Sequence, residues 1–188
     1  MKRLLLVLSI MLLSATTLFA QEKPYMVAFW NFENLFDIYD DPETHDEEFL
    51  PEGVKKWNEI KYQKKLSNME RVIFDMAAIQ RDYPIVIGVS EIENRSVLED
   101  FISQPKIKGA NYRICHYDSP DARGVDCAFL YRADVFKLEG SDNIKLEVEG
   151  LPNFRTRDLV VMWGTIEGEP FYFLVSHWPS RLGGKEAS

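Results

Sequence analysis

Three apolar runs in this chain each end in a polar residue that can do chemistry. Met26 to Trp30 is followed by Asn31, in Phe29-Trp30-Asn31-Phe32-Glu33-Asn34. Ile85 to Val89 runs into Ser90-Glu91-Ile92-Glu93-Asn94, and Phe171 to Val175 runs into Ser176-His177-Trp178. A carboxylate and an amide oxygen delivered by neighbouring strand ends make a hard-oxygen half-site for Mg²⁺, which takes few protein ligands and keeps several waters. Each residue alone has a plainer reading: Asn31 suits a turn, Glu91 a solvated or helix-capping acid, and His177 a satisfied core histidine. Taken together, three strand ends offer groups suited to one job.

The elements that must position these groups can be read from hydrophobic period. Met26–Trp30 reads as a buried strand, and the acidic stretch from Asp37 to Gly53, with Pro42 and Pro51, as a surface loop. From Glu59 to Gln80, Ile60, Leu66, Met69, Val72, Ile73, Met76, Ala77 and Ile79 recur at helical spacing, which predicts the longest helix, stopped by Pro84. The continuous run Ile85–Val89 is of the kind found in strands covered on both faces. A second helix is expected over Arg95–Ser103. Strands are expected over Tyr112–Tyr117, Asp126–Arg132, Ile144–Val148, Leu159–Ile166 and Phe171–Ser176. Early helices and later strands in one body predict packed sheets with helices outside.

Composition allows this. The 188 residues are 46% hydrophobic, 28% charged and 13% aromatic, far from disordered composition and enough for one domain with a core. The net charge of −8 argues against a basic nucleic-acid clamp, so a phosphate substrate must be met locally by a metal ion or a few arginines. Lys2-Arg3, the apolar run Leu4–Leu13 and a stretch from Ser14 to Ala20 that ends in a small residue have the layout of a secretory signal peptide, and the run is too short to span a bilayer. Export to the periplasm or outside the cell is expected, with no stable membrane anchor. Cys115 and Cys127 would then meet an oxidising compartment. A hairpin centred on Asp121 sets them opposite each other, within reach of a disulfide; two buried free thiols are the competing reading.

The segments quoted above, with Asp118-Ser119-Pro120-Asp121-Ala122-Arg123-Gly124-Val125-Asp126 running into Leu130-Tyr131-Arg132 and with His177-Trp178-Pro179-Ser180-Arg181, resemble the endonuclease/exonuclease/phosphatase superfamily. These are metal-dependent phosphoesterases related to pancreatic deoxyribonuclease. The matching segments fall in family order from Asn31 to Arg181. The resemblance implies an α+β fold, a four-layer α/β/β/α sandwich of two mixed sheets flanked by helices. It further implies Asn31 and Glu91 at an Mg²⁺ or Mn²⁺ ion, Glu33 beside Asn31 at a supporting or second-metal position, and His177 on the scissile phosphate. The family continues past its His strand to an Asp-x-Asn pair that positions the attacking water and ends in an Asp-His pair. Neither follows His177 here. Residues 21–188 are therefore expected to be the N-terminal part of one such domain, truncated at the C-terminus and inactive alone.

Phosphoester cleavage needs a polarised phosphoryl oxygen, a deprotonated water and stabilisation of the leaving oxygen. Arg123 and Arg181 can offer guanidinium forks to a phosphate, and Arg155 and Arg157 either face the substrate groove or are ordinary surface charges. Asp126 either holds the catalytic His177 or is a hairpin residue pairing Arg123. His45 and His116 are given no role. The expected activity is that of an exported nuclease-like phosphodiesterase acting on a phosphoester, nucleic acid included. A phosphatase or phospholipid-cleaving enzyme of the same fold is the alternative, and a non-catalytic secreted binding domain the rival from another class.

Overall fold

The computed structural model describes residues 24–147, 149 and 155–178; the expected leader, residues 1–20, and Arg181 lie outside the described residues. Seven strands fall into two sheets. The first holds β1 (Val27–Leu35), β2 (Val86–Ile92), β3 (Tyr112–His116) and β4 (Asp126–Arg132) in the order β1-β2-β4-β3. β1 and β2 are parallel and the other pairs antiparallel. The second holds β5 (Lys137–Ile144), β6 (Leu159–Ile166) and β7 (Glu169–Val175) in chain order. Its pairings are antiparallel, so mixed pairing is confined to the first sheet among the described residues.

Helix α1 (Glu59–Gln80) forms where the period placed it. Asn58 caps it by accepting from the Lys61 amide, and Tyr62, Leu66, Met69 and Ile73 bury one stripe. It ends before Pro84, at Arg81, in the left-handed region. Ile60 and Ile79, on the opposite side, stay exposed. Helix α2 (Arg95–Ile102) is capped in the same way by Asn94, which accepts from the Val97 amide. No helix among the described residues is long and apolar enough to cross a membrane.

Alternation along the central strands builds two cores. Ile87, Val89, Ala128 and Leu130 pack under α1 and α2 with Leu66, Leu98 and Phe101. Val86, Cys127 and Phe129 face the other way, onto Val160, Met162, Phe173 and Val175 of the second sheet. The layers described are thus α/β/β. The outer face of the second sheet carries Trp163 stacked on Tyr172 and an exposed Leu174, and no described helix covers it.

Several expectations are corrected. Among the described residues β1 is not a buried strand but an edge strand of alternating exposure, and it continues to Leu35. A strand expected over Ile144–Val148 lies instead over Lys137–Ile144. Its Gly140-Ser141-Asp142-Asn143 stretch has little strand propensity and is carried by pairing with β6. Gly140 fits there because a Cβ would sit 2.3 Å from the Trp163 ring. The loop over Asp37–Gly53 contains a short 3-10 turn, Glu47–Phe49, whose Phe49 stacks on Phe36 and so is anchored. The cysteines do not pair: Cys115 faces Phe129, Cys127 faces Ser90, and both are buried free thiols. The real register is two residues away from a hairpin centred on Asp121, because the Tyr117–Val125 connection is an asymmetric loop. A two-residue slip keeps both thiols on the inter-sheet face while separating them along the strands.

Candidate active site

The ends of β1 and β2 leave regular geometry together. Asn31 pairs with Ser90, and pairing resumes only at Leu35 with Ile92. On β4, Cys127 opposes Ser90 and Asp126 opposes Ile92, so Glu91 is the extra residue of a bulge. Its φ is 57°, and across the strand Glu33 and Asn34 stand at 54° and 61°. A non-glycine residue in this region costs roughly 1–2 kcal/mol, and three together persist only where the surroundings over-determine them. Here Ile92 is fully buried and the Glu93 amide donates to the Leu35 carbonyl at 3.0 Å.

The bulge turns the Glu91 side chain toward the second sheet. Its Oε1 lies 3.3 Å from His177 Nε2, both side chains being partly buried. Burial makes His177 less basic, Arg157 adds to that, and Glu91 partly offsets it. His177 Nδ1 is buried with no partner. Asn31 is exposed, and its Oδ1 accepts the Glu33 amide at 2.7 Å, which fixes the side-chain amide in an Asx turn. A cleft of about 320 Å³ opens between the ends of β1, β2 and β7, lined by Asn31, Ser90 and Ser176.

Lys65 of α1 supports the bulge and was not legible as a site residue. Its Nζ donates to the carbonyls of Glu33 at 2.7 Å and Asn34 at 3.1 Å. Burial pulls its pKa down to about 8, against the raising influence of Glu33 and Glu91. Nothing in the sequence separates it from its neighbours Lys61 and Lys64, because only the packing of α1 against β1 aims it inward.

Glu33 is exposed in its left-handed turn beside Asn31. The two acids of the Glu91-Ile92-Glu93 segment part company: Glu93 is buried, accepts the Asp37 amide at 2.7 Å, and has its pKa pushed up to about 8, chiefly by burial and then by the charges of Asp37, Asp46 and Asp41. It is a structural acid.

Asp126 meets neither expected partner. Its Oδ2 lies 2.8 Å from His116 Nε2, and its Oδ1 accepts from the Ser119 amide and hydroxyl at 2.9 and 2.6 Å. The loop after β3 folds back over the start of β4, so the histidine two residues before that loop's Asp118 reaches Asp126 first. His116 therefore has a partner that its place inside a strand did not announce. The donor atoms of His116, Asp118 and Asp126 lie within 4.8 Å of one another, a spacing at which they could hold a metal ion, although Asp118 is 92% exposed.

The arginines divide in the same unexpected way. Arg123 is half exposed, 3.8 Å from Asp121. Arg155, exposed, donates from Nε to the Pro120 carbonyl at 2.8 Å. Arg157 is buried against Asp121, with 2.8 Å between Nη1 and Oδ2, and its other donors reach the His177 and Trp178 carbonyls.

Solved structures similar to this chain include D. rerio TDP2 humanized by 14 mutations, at 16% identity over 83% of this chain and 48% of that one, TM-score 0.48. A mannosyl-6-phosphatase of Bacteroides thetaiotaomicron is 16% identical over 80% of this chain and 49% of that one, TM-score 0.44. The human Nocturnin catalytic domain with bound sulfate is 18% identical over 62% and 44%, TM-score 0.45. The chain thus spans about half the length of these structures. No curated protein matches it. A family model does match, over residues 26–188, which takes in both sheets and every strand end described above. By that match the chain belongs to the Endonuclease/Exonuclease/phosphatase family.

Proposed function

We propose that this chain carries the first part of an exported, metal-dependent phosphodiester hydrolase of nuclease-like chemistry. Members of the family are phosphoesterase hydrolases. One observation supports the site: Glu91 and His177, borne by different sheets, meet at 3.3 Å, and the regular pairing of β1 with β2 breaks off next to Glu91, after Asn31 and Ser90.

The donor set fits a hard divalent cation. The left-handed bulge presents the Glu91 carboxylate, and the Asn31 amide oxygen keeps a lone pair beyond the one taken by the Glu33 amide. Glu91 and Asn31 would hold Mg²⁺ or Mn²⁺, with Glu33 beside them. Bound there, such an ion would supply a Lewis acid for a phosphoryl oxygen. His177, made less basic by burial and by Arg157, would bind a phosphoryl oxygen or accept a proton through Nε2. Arg123, and with it Arg155 and Arg181, would meet the flanking phosphate charge. A chain of net charge −8 suits a short stretch of phosphodiester rather than a long duplex.

The test assays the chain, and a version extended to the natural stop codon, with Mg²⁺ and Mn²⁺ on plasmid DNA, bis-nitrophenyl phosphate and a sugar phosphate monoester. Metal-dependent diester turnover that falls by roughly 10²–10³ in Glu91→Gln is the expected result for loss of a charge-stabilising group. Turnover indifferent to Glu91→Gln removes the site. Monoester turnover alone makes the protein a phosphatase, and absence of turnover by the extended version leaves a binding domain. Export predicts a secreted protein whose mass lacks residues 1–20.

A further inference from the structure

We propose that Arg157 and Asp121 form a positioning strut between the two sheets, holding His177 at its working distance from Glu91. The inference rests on the role given to His177 above.

β7 stops pairing with β6 at Val175, so Ser176, His177 and Trp178 continue without a strand partner. Their carbonyls need donors from elsewhere. Arg157 supplies two: Nε donates to the His177 carbonyl at 3.1 Å and Nη2 to the Trp178 carbonyl at 3.2 Å. Its third contact, Nη1 to Asp121 Oδ2 at 2.8 Å, fixes the guanidinium itself. A planar guanidinium holds its donors in fixed, spread directions, whereas an ammonium carries its three on one rotating atom.

Asp121 is held just as firmly. Its Oδ1 accepts the Arg123 amide at 3.0 Å, and its carbonyl accepts the amide of Gly124, which stands at φ 67°. Two further bonds pin the same loop, from the His45 amide to the Ala122 carbonyl and from Arg155 to the Pro120 carbonyl. The loop belongs to the first sheet, between β3 and β4, while Arg157 leads into β6 of the second. The pair therefore ties together the two bodies that carry Glu91 and His177.

Stability alone does not explain such a pair. The Arg157 and Asp121 side chains are 8% and 5% exposed, and a buried ion pair is commonly no better than packed apolar residues of the same volume. What it does supply is geometry, and displacing a catalytic group by about 1 Å can cost on the order of 10²-fold in rate. Both residues act through His177 and touch no substrate.

The experiment compares Arg157→Lys, Asp121→Asn and, as control, Arg71→Lys at an exposed position of α1 in the extended protein. Two readouts are used: steady-state kinetics and the NMR resonances of selectively labelled His177. Arg157→Lys and Asp121→Asn are expected to lower kcat by roughly 10–100-fold with KM within about threefold, and to shift the His177 resonances. Arg71→Lys leaves both unchanged. Added guanidinium is expected to restore part of the activity lost in Arg157→Ala and none of that lost in His177→Ala. A folded Arg157→Lys protein with wild-type kcat and unshifted His177 resonances overturns the strut. Should His177→Ala keep full activity, the functional reading fails, and the His177 resonances still decide whether the strut positions that ring.

Discussion

The two strand ends that meet at Glu91 and His177 reach their positions by opposite means. On the first sheet the backbone does the work: Glu91, Glu33 and Asn34 are forced into left-handed conformations inside a bulge. On the second sheet the ladder runs regularly to Val175, and side-chain donors take over afterwards. The surroundings explain the difference. β2 is central and buried on both faces, so its neighbours can hold a strained residue in place. β7 is the last described strand of a sheet whose outer face no described helix covers, so no described element there packs against the chain after Val175 as the neighbours of β2 pack against Glu91.

The largest effect that sharpens this contrast is expected from Glu91→Gly. It removes the carboxylate and the steric cost of φ 57° together. Activity of the extended protein should fall by roughly 10²-fold or more, while stability rises by about 1 kcal/mol in urea denaturation. A stability loss would mean that the bulge is not strained. Next comes the packing difference between the sheets. Ile87→Ala, at a fully buried site of the first sheet, is expected to cost about 2–5 kcal/mol. Leu174→Ala, 52% exposed on the open face of the second, should stay within about 0.5 kcal/mol. Equal costs would show that the outer face is covered in solution.

The smallest effect concerns the thiols at the interface of the two sheets. Burial pushes the Cys127 thiol up to about 12, whereas an unfolded thiol ionises near 9. The folded state therefore holds a proton that the unfolded chain releases between those values, and stability should fall as pH rises through that window. Cys127→Ala is expected to flatten this slope. In native protein at pH 8 neither thiol should react with a disulfide reagent, and two should react after unfolding. A missing pair of thiols in the unfolded protein would reinstate the disulfide.

Local pattern alone determined a good deal of this. The apolar period from Glu59 to Gln80 marked α1 to the residue, and apolar runs marked β4 and β6, because burial period is written in neighbours along the chain. The order of Asn31, Glu91 and His177 at strand ends carried the family. Tertiary structure decided what depends on residues far apart in sequence. Among the described residues it made β1 an edge strand, and it formed β5 by pairing with β6. It set the register that separates Cys115 from Cys127, since a two-residue slip preserves the face pattern and leaves no trace in it. It gave Asp126 to His116 rather than His177, aimed Lys65 at the bulge, and buried Arg157 while leaving Arg155 in solvent. A side chain's charge is fixed by its type, but its partner is fixed by which elements pack against it, and that is a property of the folded chain.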